Sequence, residues 1–283
     1  MPFPAFPRAV VTGAASGLGR EFCLDLARRG SRIVASDVDA AGLEETLRRV
    51  TEEVRNGTRP VVHAVRCDVS KLDDVERLAA EAERLLGGVD VLVNNAGVVA
   101  GGRVGDIPIA DWQWVLGVNL WGVIHGCHVF APRMRKQRSG HIVNVASSAG
   151  LVSFPWWAPY CVSKYGVVAL SEALHGELAQ DGVTVTVLCP GFFRSGIQQK
   201  GRVTADPALV QVMETLMAES PLQADGVARL ALASAEAGKL YALTHADGRW
   251  VWRVKRLIPR SFYAVLPRLM HKRAKKMGYE IAI

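Results

Sequence analysis

Tyr160 and Lys164 stand four residues apart, so a helix through them carries both on one face. A free tyrosine titrates near ~10 and is a poor base at neutral pH. A lysine ammonium beside it favours the phenolate and brings the acid/base closer to the working pH. Ser147, thirteen residues before the tyrosine, adds a hydroxyl. Such a group suits proton exchange with an alcohol or carbonyl oxygen. Tyr-x-x-x-Lys alone is an ordinary helix surface pair, and it gains meaning only from its company.

The company begins near the N-terminus. Thr12-Gly13-Ala14-Ala15-Ser16-Gly17-Leu18-Gly19 ends an apolar run and opens a helical pattern. Glycines let the backbone turn sharply and approach a pyrophosphate, whose charge the helix N-terminus stabilises. The spacing is G-x-x-x-G-x-G rather than the better-known G-x-G-x-x-G, and alone it also reads as a tight strand-to-helix turn. Asp37, at the end of the next apolar run, strengthens the dinucleotide reading. Its carboxylate can accept hydrogen bonds from adenosine ribose hydroxyls. It would repel a 2′-phosphate by roughly 1–4 kcal/mol at contact. Val38 and Asp39 follow it, and Ser16 rather than a basic residue precedes Gly17. NAD is therefore expected over NADP. The alternative is that Asp37 caps the following helix, which Asp39 could do equally well.

The elements that must position these residues repeat as strand, turn and helix. Short apolar runs rich in β-formers occur at 9–11, 33–35, 61–65, 89–93, 142–145 and 183–188. Amphipathic helical patterns lie between them, for example at 43–54 and 75–86. Short continuous apolar strands alternating with helices predict βαβ units and a doubly wound parallel sheet buried on both faces. After Gly191 the pattern changes. Residues 191–205 have no clear period, helices are expected at 207–218 and 225–235, and a last short strand at 239–243. One Rossmann-type domain over 1–248 is expected, with a substrate loop and helices at about 191–220. Residues 249–283 form a basic, aromatic extension of helical pieces broken by Pro259 and Pro267.

With Asn94-Asn95-Ala96-Gly97 after the run at 89–93, Asn119, Ser147, Tyr160-Cys161-Val162-Ser163-Lys164 and Pro190-Gly191, the chain resembles a short-chain dehydrogenase/reductase from residue 8 to about 243. One position departs from the family pattern. Ser195 stands five residues after the proline where the family usually has threonine, keeping a hydroxyl for the nicotinamide carboxamide but losing a methyl. The resemblance implies that Lys164 also holds the nicotinamide ribose and that Ser147 hydrogen-bonds the substrate oxygen. Ser148 is the rival for that role, and the family's spacing of thirteen to the tyrosine selects Ser147. Asn119 would support a water that links Lys164 to solvent. The implied cofactor contacts are Gly13, Ser16, Gly17, Leu18, Gly19, Asp37, Asp68 and Val69 toward the adenosine. Asn95, Ala96, Gly97, Pro190, Gly191, Phe193 and Ser195 continue the set, with Tyr160 and Lys164. For Asp68 a helix N-cap is a close alternative.

Phe154, Trp156 and Trp157 before the tyrosine, Phe192 after Gly191, and Val98 and Val99 supply aromatic and aliphatic surface with almost no charge. Such walls suit a hydrophobic secondary alcohol or ketone, aromatic, steroid-like or long-chain, rather than a sugar or hydroxy acid. Trp156 and Trp157 read alternatively as core or interface residues.

Composition trims the remaining classes. At 49% hydrophobic and 22% charged the 283 residues have a globular balance, which excludes general disorder. No uncharged apolar run reaches the ~18–20 residues of a membrane span, and prolines at 2, 4 and 7 argue against a signal peptide. The net charge of +7 is localised: residues 249–283 carry +9 and the rest −2, so a nucleic-acid-binding body is not expected. The five cysteines are widely spaced with no C-x-x-C pair, which fits reduced thiols in the cytosol. His125 and His128 flank Cys127 without a carboxylate alongside, so no metal is expected. There is no G-x-S-x-G elbow for a hydrolase. The reading is thus an NAD-dependent alcohol dehydrogenase or ketone reductase, cytoplasmic, a homodimer or homotetramer acting on a small hydrophobic substrate. The alternatives are an NADP-dependent carbonyl reductase, an NAD-binding regulator on the same fold, and peripheral membrane contact through the basic tail. Of these tail readings, packing over the cleft or an interface is preferred to lipid.

Overall fold

The computed structural model describes residues 2–53, 61–198, 201–204 and 207–279. In chain order its elements are β1 (Arg8–Thr12), α1 (Gly17–Arg28), β2 (Arg32–Asp37), α2 (Ala40–Glu53), β3 (Val61–Arg66), α3 (Leu72–Leu86) and β4 (Val91–Asn94). There follow β5 (Ala100–Gly101), α4 (Ile109–Leu116), α5 (Gly122–Gln137), β6 (Gly140–Val145), α6 (Ala158–Leu178), β7 (Val183–Leu188) and β8 (Arg202–Val203). The chain ends with α7 (Pro207–Ala218), α8 (Ala224–Glu236), β9 (Tyr241–Ala242), α9 (Ala246–Leu257) and α10 (Pro259–Lys276).

Seven strands form one sheet in the order β3-β2-β1-β4-β6-β7-β9, every pair parallel. Its chemistry follows the period of two. Val10, Val34, Leu92 and Ile142 enter the core beneath α3, α5 and α6, while Ala9, Val11, Ile33, Ala35, Val91, Val93 and Val143 enter the core beneath α1, α2 and α8. Strand order reverses between β1 and β4, and the crevice at their carboxyl ends is where such a sheet takes a ligand.

Three features refine the expectations. The helix that carries His125 and His128 belongs to a longer run, Ile109–Gln137, interrupted by a π turn at Gly117–Trp121 in which the Gly122 N–H reaches the Gly117 carbonyl. By length and composition that run could cross a membrane, but half of its most apolar stretch is buried, and it packs on α3 and α6 as a core helix. Second, the aperiodic loop after Gly191 contains β8, which pairs with β5 in a small second sheet. Residues 199, 200, 205 and 206 of that loop, and Val54 of the predicted second helix, lie outside the described residues. Third, Pro259 does open a new helix, but α10 runs on through Pro267. An interior proline removes one ladder bond at about 3 kcal/mol. Phe262 and Leu266, buried one turn apart in the main core, hold the helix across that defect.

Candidate active site

The turn after β1 is held from two sides. Gly13 and Gly17 adopt φ of +66° and +50°, and a Cβ on Gly13 would sit 2.7 Å from the Ala96 Cα. Asn95, after β4, donates from Nδ2 to the Thr12 carbonyl at 2.9 Å and to the Gly13 carbonyl at 3.2 Å. Its own N–H and that of Ala96 donate to Thr12 Oγ1. The second strap is Asp37, whose carboxylate accepts the N–H of Ala15 and the N–H of Asp39, each at 3.0 Å. Asp39, not Asp37, caps α2, accepting from the Gly42 N–H at 3.0 Å. Asp68 is not a helix cap either. It accepts from the Ser70 N–H and hydroxyl, while α3 starts only at Leu72.

One cavity of about 610 Å³ runs from this turn to the C-terminal helix. Gly13, Ser16, Leu18, Gly19, Asp37, Asp68, Val69, Asn95, Ala96 and Gly97 line its first part. Gly17 does not line it. A Cβ there would strike the Ser195 carbonyl at 2.6 Å, so this glycine lets the 191–198 loop close on the turn. Pro190, Gly191, Phe193 and Ser195 line the middle, with Ser147, Tyr160 and Lys164. Val99, Phe154, Trp157 and Phe192 line the remainder. Trp156 is the exception among the residues expected there. Its backbone has φ +72°, and it does not line the cavity but packs against the small cluster around Val99 and Trp157, with the Arg103 guanidinium 5.0 Å from its ring centre.

The chemistry-bearing group comes from β6, the π turn and α6. Ser147 lies just past β6, its Oγ accepting the Ala149 N–H at 3.1 Å. Lys164 is buried and donates to the Val145 carbonyl at 2.8 Å, its Nζ 5.6 Å from the centre of the Tyr160 ring. Asn119 is fully buried. It accepts from the Val98 N–H at 2.8 Å, returns a bond to the Val98 carbonyl at 2.9 Å, and donates to Ser163 Oγ at 3.1 Å. Ser163 in turn donates to the Tyr160 carbonyl at 2.7 Å. One asparagine therefore ties the loop after β4 to the turn of α6 that carries the tyrosine.

Burial sets the titration of this pair in the chain by itself. Burial pushes the Tyr160 phenol up to about 12, against the pull of its hydrogen bond with Ser147. Burial also brings the Lys164 ammonium down to about 8. Two adjacent groups that both lose water are governed by desolvation rather than by mutual attraction. Cys161 and Cys189, beside the site, are buried thiols pushed up by the same cause, Cys189 to about 12, which leaves neither a nucleophile. His125 is engaged with the Val69 carbonyl at 2.9 Å and Cys127 with Asn94 and Asn144.

Some site residues escaped sequence reasoning. His245, after β9, accepts the Gly191 N–H on Nδ1 at 2.9 Å and stacks beside Phe193, fixing the loop under the middle of the cavity. Nothing in its local sequence marks it. The α7 wall did leave a signal: Leu209, Val212, Met213, Leu216 and Met217 line the cavity at helical spacing. Met270, Arg273 and Ala274 of α10 complete the far end.

A nicotinamide dinucleotide fits these residues. The glycine turn admits close backbone approach, and Ser16 gives α1 no side-chain cap, so its first N–H groups are left for an anion. Comparison with known proteins agrees. A family profile described as short chain dehydrogenase matches residues 7–206. The chain is 39% identical over 188 residues, 66% of its length, to the protein named "Probable oxidoreductase EphD" of Mycobacterium tuberculosis, of whose length it spans only 31%. It is 34% identical over 192 residues to D-beta-hydroxybutyrate dehydrogenase of Rhizobium meliloti, covering 68% of this chain and 73% of that one. A short chain dehydrogenase/reductase from Burkholderia phymatum, solved in complex with NAD, superposes with a TM-score of 0.82 at 36% identity, covering 90% of this chain and 95% of the other.

Proposed function

The chain belongs to the short-chain dehydrogenase family, as a nucleotide-binding oxidoreductase with a Rossmann fold, and from that premise we propose that it moves a hydride between NAD(H) and a hydrophobic secondary alcohol or ketone. The observation that carries the reading is the convergence of Ser147, Tyr160 and Lys164 on one cavity whose other end is the glycine turn. When bound, the dinucleotide supplies the hydride acceptor or donor. The residues of the chain do the rest. Ser147 Oγ hydrogen-bonds the substrate oxygen, and the Tyr160 phenol takes its proton in oxidation or returns it in reduction. Lys164 stands behind the tyrosine as a cation, and Asn119 holds the backbone on which both depend.

NAD rather than NADP is supported by Asp37, which faces the cavity with exposed Val38 beside it and no cation on that wall among the described residues. Apolar walls from Phe154, Trp157, Leu209, Val212 and Met213 support a hydrophobic substrate body. The C-terminal extension is read as part of the cleft rather than as a lipid contact, because Phe262, Leu266 and Ala274 are buried against the domain. Buried free thiols favour a reducing, cytosolic setting, and a homodimer or homotetramer is the proposed assembly. The test is a screen of NAD reduction over apolar secondary alcohols. Turnover that disappears in Tyr160→Phe supports the reading, and a wild-type protein inert toward all of them with either cofactor overturns it.

A further inference from the structure

The cavity is chemically lopsided. Its acidic side chains, Asp37 and Asp68, sit at the glycine-turn end. Past Tyr160 and Lys164 the lining turns apolar, and among the described residues its one charged side chain is Arg273. Arg273 comes from α10, whose Ala274 is buried against Leu209 and Val212 of α7. Arg273 is also exposed to solvent, and among the described residues its guanidinium makes no ion pair and no hydrogen bond, whereas ten other arginines pair with carboxylates. A second group points the same way. Gln198 lines the same cavity, and its buried Nε2 has no hydrogen-bond partner among the described residues. A buried amide N–H without an acceptor is unfavourable and is relieved when a ligand oxygen supplies one.

We propose that the end of the cleft remote from Asp37 is a carboxylate subsite, in which Arg273 and Gln198 receive the anionic end of a substrate whose remaining body is apolar. The inference rests on the hydride-transfer reading for its consequence: the enzyme takes long hydroxy or oxo acids in preference to neutral alcohols. Both groups are donors, and the planar guanidinium fork matches a carboxylate in two parallel bonds. A single cation beside a neutral amide balances one negative charge, which favours a carboxylate over a doubly charged phosphate. The methionines at 213, 217 and 270 give the walls between Tyr160 and Arg273 an adaptable apolar surface, suited to an alkyl chain. Neighbouring Lys272, exposed as Arg273 is, does not line the cavity, so it serves as an internal control.

Isothermal titration of the full chain with decanoate, decanol and decyl phosphate tests the subsite without turnover. Wild type is expected to bind decanoate about tenfold or more tighter than decanol. Arg273→Met should erase that preference, Arg273→Lys should retain part of it, and Lys272→Met should keep it. Equal binding of decanoate and decanol to wild type overturns the proposal. So does an equal loss in Lys272→Met, which would assign the preference to the diffuse charge of the tail, and so does decyl phosphate binding tighter than decanoate. A parallel assay follows NAD reduction with decanoic acid hydroxylated at its penultimate carbon and with the methyl ester. A decanoate preference without NAD reduction on any secondary alcohol overturns hydride transfer and leaves the subsite standing. Efficient turnover of acid and ester alike overturns the subsite alone.

Discussion

Lys255 of α9 donates to the carbonyl of Leu151 at 2.7 Å, which fastens the C-terminal helices to the loop separating Ser147 from Tyr160. The same ammonium donates to the Tyr165 hydroxyl at 2.5 Å and lies 4.8 Å and 5.7 Å from the Tyr165 and Tyr263 ring centres. Tyr263 then accepts the Ser153 N–H at 3.1 Å. The basic tail is thereby fastened to the segment that brings Phe154 to the cavity wall.

Lys255→Met leaves the Leu151 carbonyl and the Tyr165 hydroxyl without their donor, a loss of about 1–3 kcal/mol. Calorimetry should show Tm lowered by roughly 2–4 °C for each kcal/mol, and kcat/KM should fall with it. Lys255→Arg should recover part of both. Truncation after Asp247 should cost far more, because it uncovers Phe154 and the α7 wall. A truncated chain as active and soluble as the full one would show that the helices do not shape the cleft.

Tyr160→Phe should abolish hydride transfer while leaving NAD affinity within a few-fold of wild type, since in the proposed reaction the hydroxyl serves the reacting oxygen and it lies away from the glycine turn. Lys164→Met should damage both rate and cofactor affinity, because it removes a charge and a donor together. Dinucleotide titration alongside steady-state kinetics separates the two. Substantial turnover by Tyr160→Phe would sink the assignment.

Cofactor choice should follow Asp37. NAD is expected to exceed NADP by roughly tenfold to several hundredfold in kcat/KM, at ~1.4 kcal/mol per decade. Val38 is exposed and lines the cavity beside it, so Asp37→Ser with Val38→Arg should move the preference toward NADP. Loss of the two backbone bonds to Asp37 should also loosen the turn and lower stability somewhat. Equal efficiency of the wild type with both cofactors would show that Asp37 does not face the ribose.

Burial of Lys164 has a signature in stability against pH. Its folded value, about 8, lies below the ordinary 10.5, so the unfolded chain binds more protons between the two. Below pH 8 the full cost of burying the ammonium is present, and it is relieved progressively as pH rises toward 10.5. Lys164→Met removes that cost at every pH. The stability advantage of the variant over wild type, measured by urea unfolding, should therefore shrink between pH 8 and 10, by at most roughly 3 kcal/mol. A difference independent of pH would mean that the lysine is not desolvated.

How much of this was legible in the sequence differs from residue to residue. The strands could be read because each is a short apolar run feeding two cores by alternation, and the helix at 207–218 because its apolar residues keep helical spacing. The glycine turn and the Tyr160–Lys164 pair were legible because backbone approach demands glycine and an i, i+4 pair must share a helix face. Local chemistry decides such features, and local chemistry is written in the chain. The π turn around Asn119, His245 beneath Gly191 and Lys255 over Leu151 were not legible, because each acts on a partner far along the chain that only packing brings near. The same holds for the end of the cleft. The residues expected to form it were uncharged, and only the fold of α10 over α7 carries Arg273 to its wall. Desolvation, too, belongs to the tertiary structure. Tyr160 and Lys164 attract each other in any helix, but how far each titrates from its ordinary value depends on the water that the surrounding elements exclude.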